Sequence, residues 1–218
     1  HPVAHSFPTR RSSDLALIKV ECSGVCGTDV HVFQGHHPAA HPPVIMGHEF
    51  AGTVAEVGTK NPTGLETGER VAVQPFYSCG VCELCITGRE NVCPDLRIFG
   101  IHVDGSFAEY VKAPIKRVYR IPDDLGFDLA ALIEPLAVAL HDVRSSGFSV
   151  GNSALVIGGG PIGLLIAKIA DLNGASDILV TELNPFRKKL LTESGFTVLD
   201  PTETDILEAI NDRNHGLG

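Results

Sequence analysis

The chain has 218 residues, of which 44% are hydrophobic and 20% are charged, and 17 basic against 26 acidic residues give a net charge of −9. This composition is typical of a soluble globular protein with one large or two modest domains. The negative charge argues against nucleic-acid or anionic membrane binding, and no apolar run approaches the ~20 residues of a membrane span. We therefore expect a cytoplasmic protein that binds neither nucleic acid nor membranes.

Residues 1–15 differ from the rest of the sequence, because they lack apolar periodicity and include several serines and arginines. The segment resembles the in-frame translation of a short-read sequencing adapter joined to a genuine coding fragment. A transit peptide and a flexible natural tail are the alternatives. We predict a non-native segment without packed contacts to the folded part of the chain.

Short strands with frequent glycine and proline predict a compact β-rich domain over residues 16–125. Residues 16–21 alternate in the manner of a strand, residues 50–57 form a second predicted strand, and residues 71–73 form a third. The loops next to these strands carry Cys26 and the adjacent pair His48 and Glu49.

Four cysteines separated by gaps of two, two and seven residues lie in the segment 79–93: Cys79, Cys82, Cys85 and Cys93. This spacing favours a structural zinc ion in a closed tetrahedron of thiolates. Two disulfides are the first alternative, but pairing cysteines three residues apart is strained and no secretory signal is present. An iron–sulfur cluster is the second alternative, since it also uses four thiolates. We predict a zinc-binding lobe within the β-rich domain.

The pattern changes at residue 126, where apolar residues recur at helical spacing up to Val143. Asp128 lies near the start of this stretch, and Pro135 is expected to kink it. We predict that residues 126–150 form a connecting helix between two domains.

Residues 151–218 predict the first half of a doubly wound parallel sheet with helices. The buried strand over residues 153–157 leads into a glycine-rich turn, the helix 164–173 follows, and the second strand, 178–181, ends at Glu182. This order of strand, turn, helix and acidic residue is that of a dinucleotide-binding unit, although a glycine-rich turn of another α/β domain remains an alternative. The predicted cofactor-binding residues are Gly158, Gly160, Pro161, Ile162, Gly163, Glu182 and Arg187.

The acidic residue after the second strand predicts the choice of cofactor. Glu182 would accept hydrogen bonds from the adenosine ribose hydroxyls, and its charge would repel a 2′-phosphate. Arg187 could receive that phosphate. We expect NAD to be preferred over NADP.

Three further segments carry donor groups that suit a catalytic metal ion. Cys26, His48 and either Glu49 or Glu134 would supply a thiolate, an imidazole and a carboxylate, and a catalytic site uses about three protein ligands. Each residue also has an ordinary interpretation, as a buried thiol, a hydrogen-bonded loop residue or a charge on a helix surface. Spacing alone leaves these alternatives open.

Five motifs follow one another along the chain: Cys-Gly-Thr-Asp-Val-His at 26–31, Gly-His-Glu at 47–49, the four cysteines, Ile-Glu-Pro-Leu at 133–136 and Gly-Gly-Gly-Pro-Ile-Gly at 158–163. Together they resemble the zinc-dependent medium-chain dehydrogenase family, especially its sorbitol, butanediol and threonine dehydrogenases. The resemblance implies a fold of class α/β plus β, with a GroES-like catalytic domain followed by a Rossmann domain.

The same resemblance implies a catalytic zinc held by Cys26, His48 and Glu49. Glu134 would be a further ligand or the partner of a zinc-bound water. Thr28 and His31 match the family's proton relay, in which the hydroxyl takes the alcohol proton and the imidazole receives it.

The resemblance further implies an oxidoreductase that transfers a hydride between a secondary alcohol and NAD, with two zinc ions per chain and assembly into homodimers or homotetramers. The substrate would be a polyol, a sugar alcohol or a hydroxy-amino acid. The 68 residues from 151 to 218 are about half of what a six-stranded sheet needs, so we expect an inactive fragment of the enzyme. A zinc-stabilised binding module and a zinc-lacking reductase of the same superfamily are the alternatives.

Overall fold

The computed structural model describes residues 12–214, and the chain divides into two units between Glu134 and Pro135. The strands of the N-terminal unit are β1 (Leu15–Gly24), β2 (Glu49–Val57), β3 (Arg70–Val73), β4 (Phe76–Tyr77), β5 (Arg97–Ile98), β6 (Tyr110–Pro114) and β7 (Val118–Arg120). A five-stranded antiparallel sheet has the order β6-β1-β2-β3-β7, and β4 pairs with β5. This sheet confirms the predicted β-rich domain.

The first residues of β1 alternate between buried and more exposed positions, whereas β2 begins with four buried residues and β3 ends with three. Ala16 and Ile18 are fully buried on one face of β1, whereas Lys19 is exposed. A shift in register between Val20 and Cys22 interrupts the alternation. The large side chains that fill the core of the unit include Ile18, Phe50, Val54, Val71, Phe99 and Ile115.

The described part of the segment expected to be non-native is residues 12–15, and it contacts the sheet. A 3₁₀ turn over Ser12–Asp14 leads into Leu15, which pairs with Pro114 as the first residue of β1. The carbonyl oxygen of Ser13 accepts a hydrogen bond from the amide of Lys60 at 2.6 Å. The expected absence of packed contacts is therefore wrong for residues 12–15, because backbone pairing does not depend on apolar side chains. Residues 1–11 lie outside the described residues.

The short helices of the N-terminal unit are α1 (Gly27–Phe33), α2 (Glu83–Ile86) and α3 (Phe127–Ala131). The stretch predicted as one kinked helix is divided, because α4 (Ile133–Ser145) begins after a break at Leu132. The ring of Pro135 would collide with the carbonyl of the residue four positions earlier, which is Ala131, the last residue of α3. The predicted disturbance is therefore observed as a one-residue interruption at Leu132, whose backbone angles stay right-handed (φ −77°, ψ −6°).

The C-terminal unit alternates strands and helices. After α4 it contains β8 (Ser153–Ile157), α5 (Pro161–Leu172), β9 (Asp177–Thr181), α6 (Pro185–Glu193), β10 (Thr197–Leu199) and α7 (Ile206–Asn214). The strands form a parallel sheet in the order β10-β9-β8, which is the start of a Rossmann fold. Within residues 12–214, no helix is both long enough and apolar enough to cross a membrane.

Arg70, at the start of β3, holds the connection that leads to α3. Its guanidinium donates hydrogen bonds to the carbonyl oxygens of Pro122 at 3.1 Å, of Leu125 at 2.5 Å and of Asp123. The guanidinium carbon also lies 4.3 Å from the centre of the Phe127 ring. One planar cation thus satisfies several carbonyls and covers an aromatic face.

We expect Arg70→Lys to lower the free energy of unfolding of the N-terminal unit by about 1–2 kcal/mol, because a lysine ammonium cannot reproduce the hydrogen-bonding fork and the ring contact. Urea unfolding of the purified chain measures this loss. Arg97→Lys is the matched control, since Arg97 is exposed in the same unit and should change stability by less than about 0.5 kcal/mol. Equal stabilities of the two variants would contradict the role of Arg70.

Candidate active site and metal centres

Cys26, His48 and Glu49 lie together in the structure, although they are far apart in sequence. Their candidate ligand atoms all lie within 4.8 Å of one another. The pairing of β1 with β2 explains this proximity, because Gly24 at the end of β1 lies opposite Glu49 at the start of β2. Cys26 follows β1 directly and His48 precedes β2 directly, so the sheet register brings both loops to one place.

Asp29 joins these two loops, and sequence analysis assigned it no role. The side chain is only 3% exposed, and its two oxygens accept hydrogen bonds from the amides of Cys26 at 2.9 Å and of Gly47 at 3.0 Å. Nδ1 of His48 lies 3.4 Å from Oδ1 of Asp29 and makes no well-aligned hydrogen bond within residues 12–214. Because Nδ1 faces this carboxylate, Nε2 is the nitrogen left for a metal ion. The signal that could have revealed Asp29 is its place three residues after Cys26, where an acid caps a helix start.

The groups in this cluster perturb one another. A hydrogen bond to His48 lowers the pKa of Cys26 against the opposing effect of burial. Burial lowers the pKa of His48, but interactions with Cys26, Asp29 and Glu134 outweigh it and raise the pKa. Burial is the main cause that raises the pKa of Glu49. A partly buried set of thiol, imidazole and carboxyl groups at these distances has the donor chemistry of a divalent metal site.

Glu134 lies beside this set rather than within it. It is the second residue of α4 and does not belong to the residues whose ligand atoms lie within 4.8 Å of one another. Burial, together with the charge of Glu49, raises the pKa of Glu134 to about 6 against the opposing charge of His48. Direct coordination of a metal by Glu134 therefore stays a prediction, and a role through water needs no movement of the carboxylate into the set.

Thr28 and His31, the predicted relay, both lie on α1. Thr28 is half-buried and interacts with the Cys26 thiol through its backbone and its hydroxyl. His31 is exposed and lies one helical turn further on the same face. The relay itself stays a prediction, but Thr28 contacts the cluster and His31 is exposed to solvent.

The four cysteines of the lobe also converge, and all six cysteines of the chain are free of disulfides. Three pairs of sulfurs lie 3.5 Å, 3.8 Å and 3.9 Å apart: Cys82 with Cys85, Cys79 with Cys85, and Cys82 with Cys93. Sulfurs bound to zinc in a tetrahedron lie about 3.8 Å apart, since each Zn–S bond is about 2.3 Å long. The geometry fits a structural metal ion and excludes the paired-disulfide alternative in this conformation.

The ionisation of the lobe also favours a cation. Backbone amides of Val81 and Cys82 lower the pKa of Cys79 to about 6. A backbone amide favours the thiolate of Cys82 as well, but burial and the neighbouring sulfurs raise its pKa to about 12. Crowded sulfurs therefore resist ionising together, and a divalent cation would remove that repulsion.

Arg117 connects the lobe to the sheet. It is 6% exposed, and its guanidinium donates to Ser78 Oγ at 2.9 Å, to Gln74 Oε1 at 2.7 Å and to the carboxylate of Glu90. The guanidinium carbon also lies 4.6 Å from the centre of the Phe76 ring. Ser78 precedes the first cysteine and Glu90 lies shortly before the last, so one side chain holds both ends of the lobe.

The glycine-rich turn lies between β8 and α5, as predicted, but the helix begins at Pro161 rather than at residue 164, so Gly163 belongs to its first turn. Gly158 has a φ of +93°, which favours glycine. A β-carbon on Gly163 would lie 1.9 Å from the carbonyl oxygen of Gly158, so only glycine allows this helix to approach the turn. Gly160 precedes α5, exposed Pro161 is its first residue, and half-buried Ile162 is its second. The free amides at this helix start suit a phosphate group.

Glu182 follows β9 and lies beside the turn. Its Oε2 accepts a hydrogen bond from the amide of Gly159 at 3.0 Å, and its Oε1 accepts from the amides of Leu183 and Asn184 at 2.8 Å. These amides, that of Asn184 foremost, lower the pKa of Glu182 against the effect of burial. Arg187 is half exposed, and its Nη1 lies 3.7 Å from Oε2. The structure therefore brings together the predicted glycines, the acid and the arginine.

Comparison with known proteins agrees with this geometry. Residues 12–123 match the family described as the alcohol dehydrogenase GroES-like domain. L-threonine 3-dehydrogenase of Bacillus velezensis is 40% identical over 206 residues, which cover 93% of this chain and 59% of that protein. Sorbitol dehydrogenase of Bacillus subtilis is 39% identical over 210 residues, which cover 92% and 59%. The chain thus spans about 59% of the length of these curated relatives.

A solved structure extends the likeness to both units. The protein from Sinorhizobium meliloti 1021 whose structure was determined with NADP bound is 41% identical, with a TM-score of 0.85. The alignment covers 92% of this chain and 58% of that one.

Two glycines of the turn should respond differently to alanine. We expect Gly163→Ala to lower the free energy of unfolding of the C-terminal unit by about 1–3 kcal/mol, since the added carbon meets backbone that cannot move alone.

Gly160→Ala should leave the free energy of unfolding unchanged, because the atom nearest to the added β-carbon would be Nη1 of Arg187 at 3.8 Å. It should instead weaken dinucleotide binding about tenfold or more, since the methyl group occupies the approach of the pyrophosphate. Urea unfolding and NADH fluorescence titration of the whole protein separate the two effects. Unchanged NADH affinity in a folded Gly160→Ala variant would contradict the assignment of the turn.

Proposed function

Because the chain belongs to the zinc-dependent medium-chain dehydrogenase family, we propose that the whole protein oxidises a secondary alcohol by transferring a hydride to NAD. The observation that carries the proposal is the cluster of Cys26, His48 and Glu49 beside Thr28. A zinc-lacking reductase would not need this donor set, and a binding module without catalysis would not need the glycine-rich turn with Glu182.

In this proposal two sets of residues hold two zinc ions. Cys26, His48 and Glu49 hold the catalytic ion, and Glu134 acts as a further ligand or through water. The residues that hold the structural ion are Cys79, Cys82, Cys85 and Cys93. A zinc ion held by Cys26, His48 and Glu49 would supply Lewis acidity towards the alcohol oxygen. The three residues whose ligand atoms cluster here would leave a position for substrate when Glu134 acts through water, whereas four thiolates would leave none, so we assign the chemistry to the first site.

The chain's own residues move the proton. The Thr28 hydroxyl, which contacts the Cys26 thiol, takes the proton of the substrate hydroxyl and passes it to the imidazole of His31. The exposure of His31 lets it release the proton to water. Imidazole is suited to this step because its ring nitrogens can accept and donate a proton.

The preference for NAD rests on the lone pairs of Glu182. A carboxylate offers about four acceptor positions. Oε1 already accepts from two amides and Oε2 from one, so Oε2 keeps a position for a ribose hydroxyl. A 2′-phosphate would meet the same charged oxygen. Arg187 lies close enough to Oε2 to reduce this repulsion, and NADP is bound in the Sinorhizobium meliloti relative, so we propose a preference rather than exclusion.

The proposed substrate is a small secondary alcohol, either a polyol, a sugar alcohol or a hydroxy-amino acid. L-threonine 3-dehydrogenase and sorbitol dehydrogenase are named for substrates of these kinds. Assays of the whole protein with polyols and hydroxy-amino acids, with NAD and after zinc removal by a chelator, test the proposal. Assembly into homodimers or homotetramers and the cytoplasmic location stay predictions.

We expect Cys79→Ser to reduce the zinc content from about two ions per chain to about one and to make residues 79–93 sensitive to protease, because the lobe loses its tetrahedral ligand set. Atomic absorption and limited proteolysis measure the two effects. Cys22→Ser is the control, since Cys22 belongs to neither metal-binding group and its loss should leave the zinc content unchanged. Retention of both ions and of protease resistance by the Cys79 variant would overturn the structural role.

We expect Glu182→Gln to narrow the NAD/NADP ratio of kcat/KM by about tenfold, because the charge that repels a 2′-phosphate is lost. Glutamine keeps a side-chain oxygen that can accept from Leu183 and Asn184, but its NH2 group cannot accept from the amide of Gly159, so the turn loses one hydrogen bond. Arg187→Ala should shift the ratio in the opposite direction, towards NAD. An unchanged ratio in the glutamine variant, or a wild-type protein that prefers NADP, would count against Glu182 as the ribose ligand.

A further inference from the structure

Gly24 has no side chain, and the side chain of Glu49 occupies the space next to its α-carbon. The two residues face each other across the pair formed by β1 and β2. A β-carbon at position 24 would lie 2.4 Å from Oε2 of Glu49 and 3.2 Å from its Cβ. The carboxylate therefore lies across the α-carbon of Gly24, where any other residue would carry a side chain.

The backbone around Gly24 is held in place, so the carboxylate is the group that must yield to a side chain there. The preceding residue, Ser23, makes a hydroxyl–hydroxyl hydrogen bond of 2.8 Å with buried Ser106. The amide of Cys26 is bound by the carboxylate of buried Asp29. The segment between these anchors is short, and its position follows theirs.

The contact at Gly24 differs from the other close glycine contact of this strand pair. A β-carbon on Gly52 would lie 2.0 Å from the carbonyl oxygen of Lys19, which is backbone and cannot move alone. At Gly24 the nearest atom is the end of a flexible side chain, and the φ of Gly24 lies outside the left-handed region. The 3.2 Å approach to Cβ of Glu49 requires an adjustment of a few tenths of an ångström, whereas the 2.4 Å approach to Oε2 requires the carboxylate to move away. Alanine at position 24 is therefore compatible with a slightly adjusted strand pair but not with the observed place of the Glu49 carboxylate.

We propose that Gly24 is a positioning residue that keeps the Glu49 carboxylate within the metal-binding set, an inference that rests on the proposed function. In the observed arrangement the carboxylate passes over Gly24, and the ligand atoms of Cys26, His48 and Glu49 lie within 4.8 Å of one another. Metal ligands lose affinity when they are displaced by a fraction of an ångström, and residues that only orient a ligand are worth about 10–100-fold in affinity.

The test is the zinc affinity of the full chain, measured by competition with a chelator. Gly24→Ala should keep the zinc of the cysteine lobe and bind the second ion at least about tenfold more weakly. Gly27→Ala is the matched control, because Gly27 directly follows Cys26, just as Gly24 lies two residues before it, but a β-carbon at position 27 would meet no atom within 4 Å. Its second zinc should bind as in the wild-type chain.

A double-mutant cycle identifies the route of the effect. In a Glu49→Ala background, Gly24→Ala should weaken the second zinc no further, because the displaced group is absent. A Gly24→Ala chain that fails to fold while Gly24→Ala/Glu49→Ala folds would support the same contact.

Three results would overturn the inference. If Gly24→Ala weakens the affinity for the second zinc equally with and without Glu49, the methyl group acts on another group. If the Gly24→Ala chain binds two zinc ions like the wild type, the carboxylate tolerates the methyl group. Both leave the proposed function intact. A wild-type chain that binds only the lobe zinc would overturn the proposed function and this inference with it.

Discussion

The buried carboxylate of Asp29 is the interaction on which the candidate active site depends. A buried charge is costly unless hydrogen bonds compensate it. Here the compensating amides belong to Cys26 and Gly47, one from each loop of the site. Satisfying this single group therefore fixes the distance between the two loops, and the same carboxylate faces Nδ1 of His48. The cluster with Glu49 follows from that constraint and from the register of β1 with β2.

Two arginines attach irregular segments to the sheet through similar contacts. Arg70 hydrogen-bonds the carbonyls that lead to α3 and covers Phe127, and Arg117 holds both ends of the cysteine lobe and covers Phe76. Each places a planar cation over an aromatic ring while its fork satisfies oxygens from more than one segment. Loops without regular backbone pairing are thereby kept in a defined position, and a metal site built on a loop needs that.

Features that depend on neighbouring residues could be predicted from the sequence. The gaps between Cys79 and Cys93 determine which sulfurs can meet, so the converging cysteines were expected and are observed. The strand before Gly158 and the helix after it follow from local apolar patterns and turn chemistry, and both are present. The predicted burial of the strand is wrong for most of its length, because β8 lies at the edge of the described sheet and only Val156 is buried. The break between α3 and α4 was anticipated only as a kink at Pro135, because the sequence does not show where a helix yields to the proline ring.

The sequence by itself determined the domain types, the order of the motifs and the residue types available for chemistry. Only the tertiary structure decided which distant residues meet, because strand register and buried hydrogen bonds set that choice and neither is encoded by spacing. It brought Cys26 to His48 and Glu49 and left Glu134 beside them. It also gave a role to Asp29, which belongs to the motif at residues 26–31 without a predicted role, and to Gly24, which lies outside the motifs. The physical reason is that a partly buried polar cluster is specified by the backbone amides and the free space around it, and these exist only after the sheet has formed.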